Sequence, residues 1–172
     1  MKTYIRYISI VLSSFVLALM VINDYSDLKF LSNFLSENYG FKFVFFVLIF
    51  FMFLIIYTLT YLIMGFIGAW FYKLATPNKD LFDLQKAQFY CKTNTCLLIM
   101  VHVIATGLKI AFGKIYYFIF YFIASLFVTI YVTYMYKKRY KGIFNAFIAM
   151  LPQIMYMAIS LYSANQGGNY EY

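Results

Sequence analysis

Between Lys42 and Lys73 the chain carries no charge, and residues 43–72 are almost wholly Phe, Leu, Ile, Val, Met and Tyr. As a helix this run exceeds the roughly 20 apolar residues that cross a hydrocarbon core. No soluble surface accommodates it. Inside lipid the backbone N–H and C=O groups find no water, so only helices or a closed barrel can span. The apolar runs of this chain are too continuous for the alternating, roughly ten-residue strands of a barrel. The sequence therefore predicts an all-α, polytopic membrane helix bundle.

Five apolar segments follow along the chain, at about 7–22, 43–72, 95–112, 115–136 and 143–162, and they form one integral membrane domain over 1–172. The first begins with Lys2 and Arg6, as a secretory signal also does. It lacks a small-x-small cleavage site near Ala18–Asn23, so it reads as an uncleaved helix. Cleavage would leave four spanning helices in the same orientation. The second segment is long enough that it must tilt, kink or protrude. A chain that is 65% hydrophobic with a mean hydropathy of +0.77 is neither disordered nor a soluble globular domain.

Charge orients the bundle. Ten of the 14 basic residues fall on the side that holds the N-terminus. These are Lys2 and Arg6; Lys73, Lys79, Lys86 and Lys92; and Lys137, Lys138, Arg139 and Lys141. Lys29, Lys42, Lys109 and Lys114 fall on the other side. The positive-inside rule then places the N-terminus in the cytoplasm and, with five helices, the C-terminal tail outside. The richness in Phe, Ile, Tyr, Lys and Asn fits an AT-rich bacterial coding sequence, hence a bacterial inner or plasma membrane. The net charge of +8 is accounted for by topology, and no basic run interleaved with aromatics suggests nucleic-acid binding.

The segment 73–94 is expected to be a cytoplasmic amphipathic loop. Pro77 stops the second helix, and Asp80 is placed to cap a new one, with Asp83 at the capping-box position. Lys79, Lys86 and Lys92 would give that short helix a basic face, suited to anionic headgroups or to a cytoplasmic protein partner. Lys137, Lys138, Arg139 and Lys141 form a second basic patch on the same side.

Chemistry-bearing groups are sparse. An ionisable residue at membrane depth is a functional candidate by default. All six carboxylates (Asp24, Asp27, Glu37, Asp80, Asp83 and Glu171) lie outside the expected spans. This removes paired-carboxylate catalysis and the usual coupling acid of a proton- or cation-driven carrier. His102, in the third span, is either a proton relay or a neutral imidazole bonded to Thr106 one turn on or to a neighbouring Tyr or Ser. With Asn145 and with Gln153 beside Pro152, it marks a candidate intramembrane polar cluster: His102, Thr106, Asn145 and Gln153. One histidine and two cysteines supply no usual metal-ligand set, and no cofactor motif is present. Cys91 and Cys96 point to different helix faces and read as inert thiols, with lipidation the alternative. The serines have no local nucleophile motif, so an enzyme is not expected. Gly65 with Ala69, and Gly107 with Ala111, have the spacing that lets helices approach closely. Tyr116, Tyr117 and Tyr121, and Tyr131, Tyr134, Tyr136 and Tyr140, bracket the fourth span as interfacial belts.

Three strings carry a family resemblance: Gly65-Phe66-Ile67-Gly68-Ala69, Asp80-Leu81-Phe82-Asp83 with Lys86-Ala87, and Gly142-Ile143-Phe144-Asn145-Ala146 with Leu151-Pro152. With their order along the chain, the segment from about Gly65 to Tyr162 resembles the membrane domain of Yip1-type proteins. The resemblance implies five spans, a cytoplasmic N-terminus and a non-enzymatic scaffold or adaptor for a partner protein. It transfers no site residue. A small permease or permease subunit, and a membrane immunity protein against a toxin, are the other function classes compatible with the sequence.

Overall fold

A computed structural model describes residues 3–23, 39–75, 81–140, 154–155 and 158–159. Among the described residues the protein is helical, with four long helices: α1 (Thr3–Asn23), α2 (Tyr39–Ala75), α3 (Leu81–Phe112) and α4 (Lys114–Tyr140). All four are long and apolar enough to cross a membrane. The expected fifth span, 143–162, lies outside the described residues except for its helical pairs 154–155 and 158–159.

The helix ends follow local chemistry. Gly113 has a φ of +98°, a left-handed conformation open to glycine, and its N–H donates to the Lys109 carbonyl over 2.8 Å. That closes α3, and α4 starts at the next residue. α3 begins at Leu81, directly after the expected cap Asp80, which lies outside the described residues. Here the structure corrects the sequence reading. The third span and the expected amphipathic helix of the 73–94 loop form one continuous element from Leu81 to Phe112. Most of that loop is therefore helix. α2 is also longer than expected, about 55 Å at 1.5 Å per residue.

Among the described helices α3 packs against each of the other three, α1 also packs against α2, and α4 packs on α3 alone. The side chains explain why α3 is central. Of its ten buried positions among the described residues, four are Leu98, Ile99, Val101 and Val103, and the other six are small or polar: Ala87, Cys91, Asn94, Thr95, Cys96 and Ala105. Such residues let backbones approach and are expensive to show to lipid. α2 carries bulky aliphatic and aromatic residues all round, which lipid solvates as well as protein does. Within its most apolar window only 11% of residues are buried, against 39% in α3.

One core joins Ile10 and Leu17 of α1, Tyr57 and Tyr61 of α2, and Cys96, Ile99 and Val103 of α3. A second joins Val101 and Ala105 to Tyr121 of α4. A third, Tyr72 with Ala87 and Cys91, holds the ends of α2 and α3 together past the start of α1. Neither cysteine is in a disulfide among the described residues, and both are fully buried, as suits inert thiols and leaves no accessible sulfur for lipidation.

Candidate functional site: a polar cavity on the central helix

α2 and α4 both flank α3 without packing on each other. The gap between them is a cavity of about 210 Å³ with α3 as its floor. α2 contributes Phe53, Ile56, Tyr57, Thr60 and Met64; α3 contributes Thr95, Leu98, Ile99 and His102; α4 contributes Tyr117 and Tyr121. Residues four and seven apart share one helix face, which is why 53, 57, 60 and 64, or 95, 99 and 102, line one wall.

His102 is the chemical centre. Its Nδ1 lies 3.0 Å from the Tyr117 hydroxyl. If Tyr117 donates, Nε2 carries the proton and is a donor; if Nδ1 donates, Nε2 is an acceptor. In either tautomer Nε2 makes no hydrogen bond among the described residues. Three tyrosine rings, Tyr57, Tyr117 and Tyr121, meet the imidazole nearly at right angles, with centroids 6.4, 5.9 and 6.0 Å away. Edge-to-face contacts at this spacing are favourable for aromatic pairs and fix the ring's plane. Tyr117 and Tyr121 are themselves stacked, 5.6 Å apart and 3° from parallel. Among the described residues that line the cavity there is no carboxylate.

This arrangement both supports and corrects the sequence reading. A neighbouring tyrosine does hold His102. Thr106 does not hold the imidazole: its Oγ1 donates to the His102 carbonyl over 2.9 Å, the ordinary back-bond of a helical threonine, and it does not line the cavity. Asn145 and Gln153 lie outside the described residues. Tyr117 and Tyr121 are cavity residues rather than part of an interfacial belt, and Tyr121 is only 3% exposed. Tyr116, Tyr131 and Tyr134 do face outward. The sequence signal was present but unread: 117 and 121 are one turn apart, so they share a face that 116 does not.

Ser14 donates to the Ile10 carbonyl, and neither Ser13, Ser14 nor Ser125 lines the cavity with His102. Ser160 lies outside the described residues.

The expected basic surface is also altered. Lys92 turns into the bundle, where its side chain lies against Gly65 and its ammonium sits 5.5 Å from the Tyr61 ring centroid. Lys86 is half-buried. Lys79 and Lys141 lie outside the described residues; Lys137, Lys138 and Arg139 belong to the last turns of α4, where only the backbone is described. Of the small-residue pairs, Gly65 and Ala69 are buried, and Gly107 meets Met20 of α1. Ala111 is exposed and is not a packing position. Comparison with known proteins gives no match: no family model, curated protein or solved structure is similar to this chain.

Proposed function

We propose that this chain is a multi-pass membrane protein that receives a small, uncharged molecule from the bilayer, as a permease or a binding subunit of one. The cavity at His102 carries this reading. An apolar cavity of about 150 Å³ is enough to hold benzene; the present one, at about 210 Å³, has room for a slightly larger molecule. Its walls are mostly apolar, and His102 Nε2, without a hydrogen bond among the described residues, offers one, the usual composition of a small-molecule site. The described lining has no acid to balance a cation, so a neutral guest with one polar group fits it best. Its role is binding without catalysis. The ten-to-four distribution of basic residues supports a cytoplasmic N-terminus.

Phenol is a suitable probe. In detergent, saturating phenol is expected to raise the melting temperature of the protein by a few degrees, through binding to the folded state alone. Thr60→Phe places a ring in the cavity and is expected to remove the increment. Equal phenol shifts in both proteins would show that the cavity is not a binding site.

A second reading, the scaffold or adaptor of Yip1-like type, is favoured by a different observation. Arg6, near the start of α1, is level with Tyr61 and Phe89. α2 therefore continues from Tyr61 to Ala75, about 20 Å past that level, and α3 reaches it from Leu81, about 12 Å away. On this extension Phe66, Trp70 and Leu74, one turn apart, form an exposed apolar stripe. A partner protein at the cytoplasmic surface would cover such a stripe. Phe66→Glu with Trp70→Glu is expected to abolish co-purification of that partner; an unchanged set of co-purifying proteins counts against the adaptor.

A further inference from the structure

Arg6 is only 3% exposed, yet it stands on a helix apolar enough to cross a membrane. A guanidinium has five N–H donors. Here Nη2 donates to Thr3 Oγ1 at 3.1 Å and Nη1 to the Phe89 carbonyl at 3.4 Å, while Nε is buried with no partner among the described residues. Its Cζ lies 4.3 Å from the Phe89 ring centroid and 5.9 Å from that of Tyr61. The Lys92 ammonium approaches the same Tyr61 ring, 5.5 Å from its centroid, and makes no hydrogen bond among the described residues. The two positive charges are close enough to repel each other.

Two cations thus converge from α1 and α3 on one tyrosine of α2, with no anion among the described residues to balance them. Aromatic faces offset only part of the cost of withdrawing a cation from water. The backbone of Asp83 stands about 9 Å along α3 from that of Phe89 and about a third of a turn round from it. Backbone space has been cleared for the second cation: a Cβ on Gly65 would stand 2.5 Å from Lys92 Cγ and 2.6 Å from its Cε. The cluster also lies at the start of α1, where a span that begins at Thr3 meets the headgroup layer.

We propose that Arg6 and Lys92 form a binding site for a phosphate anion at the membrane boundary, supplied by the headgroup of an anionic phospholipid or by soluble phosphate. Basic pockets between helices at that depth suit such headgroups. The site is separate from the His102 cavity, and its failure would leave the cavity reading untouched.

The test uses the full chain, delipidated in mild detergent. Binding of phosphatidylglycerol, of a phosphate-free galactolipid and of inorganic phosphate is measured by native mass spectrometry and thermal shift. Lys92→Met keeps the apolar stem and removes the charge; Gly65→Ala keeps the charge and displaces it. Phosphatidylglycerol is expected to bind in preference to the galactolipid, and each substitution to weaken it about fivefold. Inorganic phosphate that matches phosphatidylglycerol and shows the same loss in both variants would support the site with soluble phosphate as the source. Equal binding of the two lipids, or phosphatidylglycerol binding unchanged in both variants, would overturn the proposal.

Discussion

Asn94 offers a test in which the sign of the effect decides. It stands on the central helix with no exposed surface, and neither its Oδ1 nor its Nδ2 has a hydrogen-bond partner among the described residues. Leaving a buried donor or acceptor unmade costs about 1–3 kcal/mol. Leucine has the same number of side-chain heavy atoms and the same branch point, and no polar group. Its bulkier methyl ends introduce an overpacking cost of roughly 1 kcal/mol. Asn94→Leu is therefore expected to stabilise the protein by about 1–5 kcal/mol, the relief of two unmade bonds less the repacking cost. Substitutions at fully buried positions ordinarily destabilise, by about 0.5–3 kcal/mol. The assay is unfolding by SDS in mixed micelles, followed by helical circular dichroism and by the fluorescence of Trp70, the chain's single tryptophan. Asn94→Ala, which relieves the amide but also opens a cavity, should fall below Asn94→Leu. A loss of about 1 kcal/mol or more in Asn94→Leu refutes the reasoning, because it means that the amide is bonded in the folded protein.

Two further outcomes follow from the same geometry. Tyr117→Phe deletes the hydroxyl 3.0 Å from His102 Nδ1 and should lower stability by about 0.5–1.5 kcal/mol in the same unfolding assay, with the histidine ring resonances shifted in NMR spectra. Cys91 and Cys96, both without exposed surface, should resist a maleimide in the folded protein and react after SDS unfolding; rapid labelling of either in mild detergent would contradict the packing of α3.

The elements were legible where the physics is local. The run 43–72 has to be helical in lipid because nothing else satisfies its backbone, and α2 encloses it. The turn between the third and fourth spans was readable within one residue, because a glycine ends one apolar run directly before the next. The continuity of α3 was not legible. Residues 81–94 carry charges and polar groups that resemble a surface loop, and only the cluster of Tyr72 with Ala87 and Cys91 shows that one side of this stretch is buried against α2.

The site divides in the same way. His102 was identifiable from sequence alone, because an imidazole inside an apolar run needs a partner. Which partner it takes depends on how α4 folds back on α3, and that brings Tyr117 and Tyr121 to its ring in place of Thr106. Lys92 shows the opposite failure. Its charge predicted a solvated face, yet the missing side chain at Gly65 and the ring of Tyr61 draw it inward beside Arg6.

The sequence by itself called for a helical membrane bundle with five apolar spans, because the cost of an unsatisfied peptide group in lipid is set residue by residue; among the described residues four helices are long and apolar enough to cross. Only the tertiary structure decided that α3 is the centre, that α2 and α4 leave a cavity at His102, and that Arg6 and Lys92 share a tyrosine. Lipid solvates every apolar face equally well, so hydropathy does not rank one helix against another; the close fit of small and polar side chains does.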